Sequence, residues 1–226
     1  MTFRIRKLPY YVASYAALRR IVSEGWILLP FRSKPLHLRD GLSFRVSSLL
    51  DVLILKETLL DDVYGLREVD ARIERIVDVG ASFGDFSIVA ARRFPNAEIV
   101  AFEPDPRAFE LLRENVERNG ITNVEAVQGA VGTGSVRLGE WLRAGPIGLL
   151  KVDCEGAELD VLDSAGDAIR GVRRVVVEYH RRLLRDADRL VEEYLARYGF
   201  KVHVTPDAYD ADIGYVRATA HRAAAG

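Results

Sequence analysis

The 226-residue chain is short of several side chains, and each shortage excludes something. It has one cysteine, Cys154, which excludes a disulfide framework and a cysteine-built zinc site. No run of 18 uncharged apolar residues occurs, so no ordinary membrane-spanning helix is expected. The net charge is only −1, which gives no wholesale case for nucleic-acid binding. Gln and Met appear once each, Asn four times, and Lys five times against 27 Arg. Scarcity of thermolabile side chains suits a thermophile. A GC-rich genome, which also favours Arg, accounts for the same bias equally well. What is present is enough apolar residue, 49%, to bury a core at this length. The expectation is one large domain, or one domain with an extension.

The charge is uneven. Residues 1–45 hold nine Lys/Arg and only Glu24 and Asp40 as acids, so a basic arm precedes an acidic body. Arg4, Arg6 and Lys7 before an apolar stretch imitate a secretory leader. However, Tyr10 to Leu18 is short, rich in Tyr and Ala, and closed by Arg19-Arg20, with no cleavage-type end. A cytoplasmic location is therefore expected. Tyr11, Tyr15, Leu18, Val22 and Trp26 fall at helical spacing on one stripe. Packing against the body or a second copy is the favoured use of that stripe. A membrane surface or an RNA backbone is the other. Next, apolar and polar residues alternate on both sides of Asp40-Gly41, which reads as a β-hairpin over 36–46. Ser48 then caps a helix to about Val63, with Leu49, Val52, Leu53, Leu60 and Val63 inward.

From residue 73 the pattern changes. Strands are predicted at 73–79, 97–102, 124–131, 147–152, 174–179, 200–204 and 213–218. Helices are predicted at about 85–94, 106–119, 157–163 and 187–198. Ile- and Val-rich strands with helices between imply a mostly parallel α/β sheet covered on both faces. The last two strands lie only about ten residues apart, with Pro206 between, so they form a hairpin and the last strand is antiparallel. The expected organisation is an arm, hairpin and helix over 1–72, a ligand-binding domain over 73–221, and a tail at 222–226.

In such a sheet, ligands sit beyond the carboxyl ends of the strands. The first strand ends in Asp78-Val79-Gly80-Ala81-Ser82-Phe83-Gly84. Its glycines let backbone approach a ligand and open a helix whose N–H groups point at it. Glu103 follows 23 residues after Gly80 and can accept both hydroxyls of a ribose. A nucleoside cofactor is the reading. Ser82 stands where a dinucleotide fingerprint wants glycine, and Asp78 and Asp85 bracket the turn. Negative charge repels a pyrophosphate but suits an ammonium and a sulfonium, so S-adenosylmethionine is favoured over NAD.

These residues, with Ala101-Phe102-Glu103-Pro104-Asp105-Pro106 and Leu150-Lys151-Val152-Asp153-Cys154-Glu155-Gly156-Ala157-Glu158, resemble the FkbM family of S-adenosylmethionine-dependent methyltransferases. The resemblance spans about residues 36–219, and its most specific element is the Asp-x-Glu-Gly-x-Glu block. Ser82-Phe83 departs from the Asn plus small aliphatic residue more usual in that loop. The resemblance implies a Rossmann-like class I methyltransferase sheet of seven strands and methyl transfer, commonly to a hydroxyl oxygen of a sugar or natural product. By motif, Asp78, Gly80 and Gly84 would line the methionine end of the cofactor, with Ala81, Ser82 and Pro104 beside the same site. Glu103 would hold the ribose, and Gln128, Gly129 and Ala130 would lie near the adenine.

A neutral alcohol is a poor nucleophile and needs a base or a metal. Asp153 ends the fourth strand and is expected to position the cofactor's amino group or the acceptor. His180 is the first-choice base, with Glu178 orienting it or serving instead. Glu155 and Glu158 read as structural supports of the loop after the fourth strand. Two acids and a histidine could take a divalent metal, but no His-x-His spacing supports one and none is expected. Cys154 reads as a small packed residue. Arg181, Arg182 and Arg185 offer either an anion-binding mouth or a solvated helix start. The expected acceptor is a small or lipid-linked hydroxyl compound. RNA methylation through the basic arm and a non-catalytic scaffold are the alternatives. Peripheral membrane contact through residues 1–35 and a homodimer remain open.

Overall fold

A computed structural model describes residues 8–23, 35–70, 72–134 and 136–221. Helix α1 (Leu8–Ile21) leads to a short antiparallel pair, β1 (Leu36–His37) and β2 (Ser43–Phe44), as the Asp-Gly turn predicts. Ser48 caps α2 (Leu49–Lys56) in a reciprocal box with Asp51. The helix continues as one π-helical turn, Glu57–Asp61, closed by Asp62 in a left-handed conformation. Leu49, expected inward, is exposed instead, while Val52 and Leu53 are buried.

The α/β body then runs β3 (Arg75–Val79), α3 (Asp85–Arg93), β4 (Glu98–Glu103), α4 (Pro106–Arg118) and β5 (Val124–Gln128). It continues with α5 (Leu138–Leu142), β6 (Leu149–Val152), α6 (Glu158–Ala165), β7 (Arg174–His180), α7 (Ala187–Arg197), β8 (Phe200–Pro206) and β9 (Ile213–Ala220). The sheet order is β5-β4-β3-β6-β7-β9-β8. Strands β3 to β7 pair in parallel, and β9 is antiparallel to both β7 and β8. Strand order therefore reverses between β3 and β6, which places the cleft where their carboxyl ends diverge. Pro206, expected between the last two strands, ends β8 instead, and two further details differ from the sequence reading. β5 stops at Gln128, and the five-residue helix α5 is too short to show a period.

Alternate strand residues feed opposite faces, the period-two rule of a pleated strand. Val77, Val79, Val100, Phe102, Leu150 and Val152 pack with α5, α6 and α7. Ile76, Ile99, Leu149 and Val176 face Phe86, Ala90 and Ala91 of α3.

The N-terminal segment packs on this body. Leu18, Val22, Phe44, Val52 and Leu55 share one apolar cluster with Phe83 and Ile88. The helical stripe thus meets the body through Leu18 and Val22. Trp26 and the side chains of Tyr11 and Tyr15 lie outside the described residues, as does the tail 222–226. Phe83 meets Phe44 edge-on at 6.3 Å, so the aromatic in the glycine loop serves to dock the hairpin. Asn115 on α4 ties the two parts together. Its amide oxygen accepts from Arg45 N at 2.6 Å, and its Nδ2 donates to the Arg45 and Phe83 carbonyls at 3.0 and 2.9 Å. The side chain is fully buried. Asn115→Ala strands these backbone groups, and a loss of about 2–4 kcal/mol is expected in urea unfolding. A loss under about 1 kcal/mol would mean that water replaces the amide.

Candidate functional site

The carboxyl ends of β3, β4, β6 and β7 open into one cleft of about 660 Å³. Its floor is the turn after β3. Gly80 has φ +80°, and a Cβ there would lie 1.8 Å from the Asp153 carbonyl oxygen, so only glycine fits. The Gly80 and Ala81 amides both donate to the Phe102 carbonyl, at 3.0 and 2.9 Å. Lys151 supports the turn from below. Its Nζ donates to the Gly80 carbonyl at 2.6 Å and lies 3.1 Å from Asp78 and 3.8 Å from Asp153. Burial works against this ammonium, but Asp78, Asp153 and Asp85 outweigh it and hold its pKa above the ordinary value.

Asp78 is fully buried beneath the turn, where Ser87 Oγ donates to it at 2.6 Å. It acts on the cleft through Lys151 and does not form its wall. Asp85, also buried, accepts from Thr58 at 2.5 Å, and burial pushes its pKa up to about 6.

Glu103 ends β4 as expected. Its two oxygens accept from the Ser82 and Asp105 amides at 2.7 and 2.8 Å. Each oxygen keeps a further lone pair, and burial holds the carboxyl above its usual pKa. Ser82 reaches Glu103 by taking φ +50°. The remaining loop residues are placed differently. Ala81 is buried, and Gly84 starts α3 under Leu112. Pro104 is exposed. Gln128 pairs with Glu103 across the strands, and the Gly129 amide donates to the Glu103 carbonyl at 3.2 Å. Gln128, Gly129 and the exposed Ala130 therefore lie along the rim by Glu103, outside the cleft wall.

The three expected catalytic residues do converge. Asp153, Glu178 and His180 each offer a ligating atom, and these atoms lie within 4.8 Å of one another. Asp153 follows β6, while Glu178 and His180 stand two apart on β7 and share a face. Glu158 orients the histidine, rather than Glu178. Its buried carboxylate meets His180 Nδ1 at 2.9 Å and accepts from the Gly156 amide at 2.9 Å. His180 Nε2 lies 3.9 Å from Glu178 and 3.8 Å from Glu155. Burial opposes the charged ring, but the bond to Glu158 and the charges of Asp153 and Glu155 raise its pKa. Burial, then Asp153 and Glu57, lift Glu178 well above a normal carboxyl. Burial also takes the Cys154 thiol up to about 12, in keeping with a packed, unreactive residue.

Sequence reasoning missed Tyr64, whose hydroxyl lies 3.0 Å from Asp153 and 3.2 Å from Glu178. No local pattern marks it. A signal did exist for Lys151, because a lysine inside an apolar strand must meet a buried acid. The three arginines after β7, for which both readings stood open, separate in the fold. Arg181 pairs with Asp188, and Arg182 with Asp210 and Asp212 at 2.7 and 2.6 Å. Arg185 is 95% exposed beside Asp186. Arg182 lines the cleft with its charge met by Asp210 and Asp212, beside Glu57, Glu155, Glu178 and Asp207, whereas Arg181 and Arg185 do not line it.

The family model of the methyltransferase FkbM domain matches residues 133–202, and that of the TRM5/TYW2 methyltransferase domain matches residues 58–134. The chain is 35% identical over 91 residues to methyltransferase sdnD of Sordaria araneosa, covering 39% of this chain and 35% of that protein. It is 26% identical over 159 residues to hexuronic acid methyltransferase AglP of Haloferax volcanii, covering 57% of this chain and 60% of that one. The chain thus spans about a third to three-fifths of these relatives. Among solved structures, precorrin-6y C5,15-methyltransferase from Geobacter metallireducens GS-15 aligns with a TM-score of 0.53 at 19% identity. That alignment covers 70% of this chain and 86% of that one, a likeness of fold.

Proposed function

We propose that this chain, a class I methyltransferase of the FkbM type, methylates a hydroxyl oxygen on a sugar, lipid-linked or natural-product acceptor. The observation that carries the reading is one cleft. It joins a glycine turn that no side chain can fill, a ribose-ready Glu103, and the Asp153–Glu178–His180 cluster. These residues fit S-adenosylmethionine. Glu103 has lone pairs for the ribose hydroxyls, and the acid-rich wall suits a positively charged sulfur. When bound, that cofactor supplies an electrophilic methyl group.

The chain's own part is positioning and charge. The Gly80 turn lets backbone touch the cofactor, and Lys151 fixes the turn from beneath. Asp153, Glu178 and His180 receive the acceptor hydroxyl as hydrogen-bond acceptors and take up its proton as its oxygen attacks. One C–O bond forms while one C–S bond breaks. Holding the oxygen in line supplies roughly 7–11 kcal/mol in favourable cases. The acid-lined wall disfavours a polyphosphate, so RNA is the weaker acceptor class.

The test is to incubate the protein with radiolabelled methyl donor and a cell extract divided into lipid, small-molecule and RNA pools. Label is expected in the first two, and label confined to RNA would overturn the acceptor class. Glu103→Ala is expected to weaken cofactor binding roughly 10- to 100-fold by calorimetry, through the lost charge-assisted bonds. Unchanged affinity would remove Glu103 from the site.

A further inference from the structure

We infer that Asp153, Glu178 and His180 form a binding site for a divalent cation of the Mn²⁺ or Mg²⁺ class. The inference rests on the reading above and says how that same site activates its acceptor.

The three residues share one design. Each has one atom held by a neighbour and another that makes no hydrogen bond. Tyr64 hydrogen-bonds Asp153 Oδ2 and Glu178 Oε2, so Asp153 Oδ1 and Glu178 Oε1 remain open. Glu158 holds His180 Nδ1, which directs Nε2 inward. The His180 side chain is 9% exposed, and Nε2 makes no hydrogen bond. It faces Glu178 Oε1 at 3.9 Å. A carboxylate on the far nitrogen and a hydroxyl behind the ligating carboxylates are the outer supports that metal ligands normally have.

The distances agree. Opposite ligands of such an ion stand about 4.2 Å apart at 2.1 Å each. Neighbouring ligands stand about 3.0 Å apart, so a spread within 4.8 Å, with 3.9 Å between His180 Nε2 and Glu178 Oε1, needs closure of about an ångström.

Charge points the same way. The phenol has one proton to give, yet it touches two carboxylates. Lys151 lies closer to Asp78 than to Asp153. A divalent ion supplies the missing positive charge. The two carboxylates suit Mn²⁺ or Mg²⁺, and the imidazole favours Mn²⁺, the first-row ion of the two. Such an ion would act as a Lewis acid on the acceptor hydroxyl, whose proton leaves to water at the open mouth.

The experiment titrates Mn²⁺ into chelator-stripped protein and follows free Mn²⁺ by electron paramagnetic resonance, with Mg²⁺ as competitor. One saturable site per chain is expected. Affinity should fall at least about tenfold in Glu178→Gln and in Asp153→Asn, and about tenfold in Tyr64→Phe. Thermal melts and circular dichroism confirm that each variant is folded. Absence of saturable uptake, or equal uptake in both folded carboxylate variants, overturns the site. So does full methyl transfer by stripped protein in chelator, which would make His180 a direct base and leave the methyltransferase reading standing. Saturable Mn²⁺ uptake without S-adenosylmethionine binding supports the cation site and removes the methyl-transfer reading.

Discussion

Lys151→Met is expected to cost the fold about 3–5 kcal/mol, the penalty for leaving a buried carboxylate without its cation. Lys151 is 3% exposed and ties Asp78 to the Gly80 carbonyl. Without it, Asp78 keeps only Ser87 as a polar partner in a fully buried place. Methionine fills similar volume, so the loss is electrostatic and not a cavity. The sign of the pH response separates the two. An unpaired buried carboxylate has a raised folded pKa, and the stability it contributes is present at low pH and lost as pH rises through that value. The variant's deficit should therefore narrow as pH falls below the raised folded value and be smallest below about 4, where the unfolded carboxyl also takes its proton. Urea unfolding across pH measures both. A deficit that stays constant with pH would assign Lys151 a packing role only.

The strands, the crossover helices and the final hairpin were legible because their periods differ and their lengths suffice. Leu150-Lys151-Val152 reads as a buried strand whatever surrounds it, and Gly80 to Gly84 reads as a turn. Glu103 was legible because its place follows from chain distance after a glycine turn. Tyr64 was not, since its partners lie 89 and 114 residues away and nothing local requires a phenol. The role of Glu158 was hidden in the same way, because a helix start and a strand end meet only in the fold. Glu178 and His180 carried a usable sign, two ionisable residues in i, i+2 register at a strand end. The arginines after β7 stayed ambiguous because a basic run says nothing about acids downstream. Asp188, Asp210 and Asp212 neutralise two of them. Leu49 shares the helix face of Val52, but as the first residue of α2 it is exposed.

Gly80→Ala is expected to abolish measurable cofactor binding, a loss of at least about 100-fold, while the chain still folds. Two costs combine. At φ +80° an alanine pays left-handed strain of about 1–3 kcal/mol. In addition its methyl carbon would sit 1.8 Å from the Asp153 carbonyl oxygen and 2.9 Å from the carbonyl carbon. Those atoms are backbone, so the turn or the end of β6 must move. Either movement shifts Asp153 against Gly80, the two walls between which the cofactor is proposed to lie. Gly120→Ala isolates the first cost. It has φ +62° at the end of α4, with nothing within 4 Å of its Cβ position. Gly120→Ala should lose stability by strain alone and bind S-adenosylmethionine as the parent does. Melting curves and calorimetry on both variants separate strain from clash. If Gly80→Ala binds like Gly120→Ala, the turn after β3 does not touch the cofactor, and the cleft has been assigned to the wrong ligand.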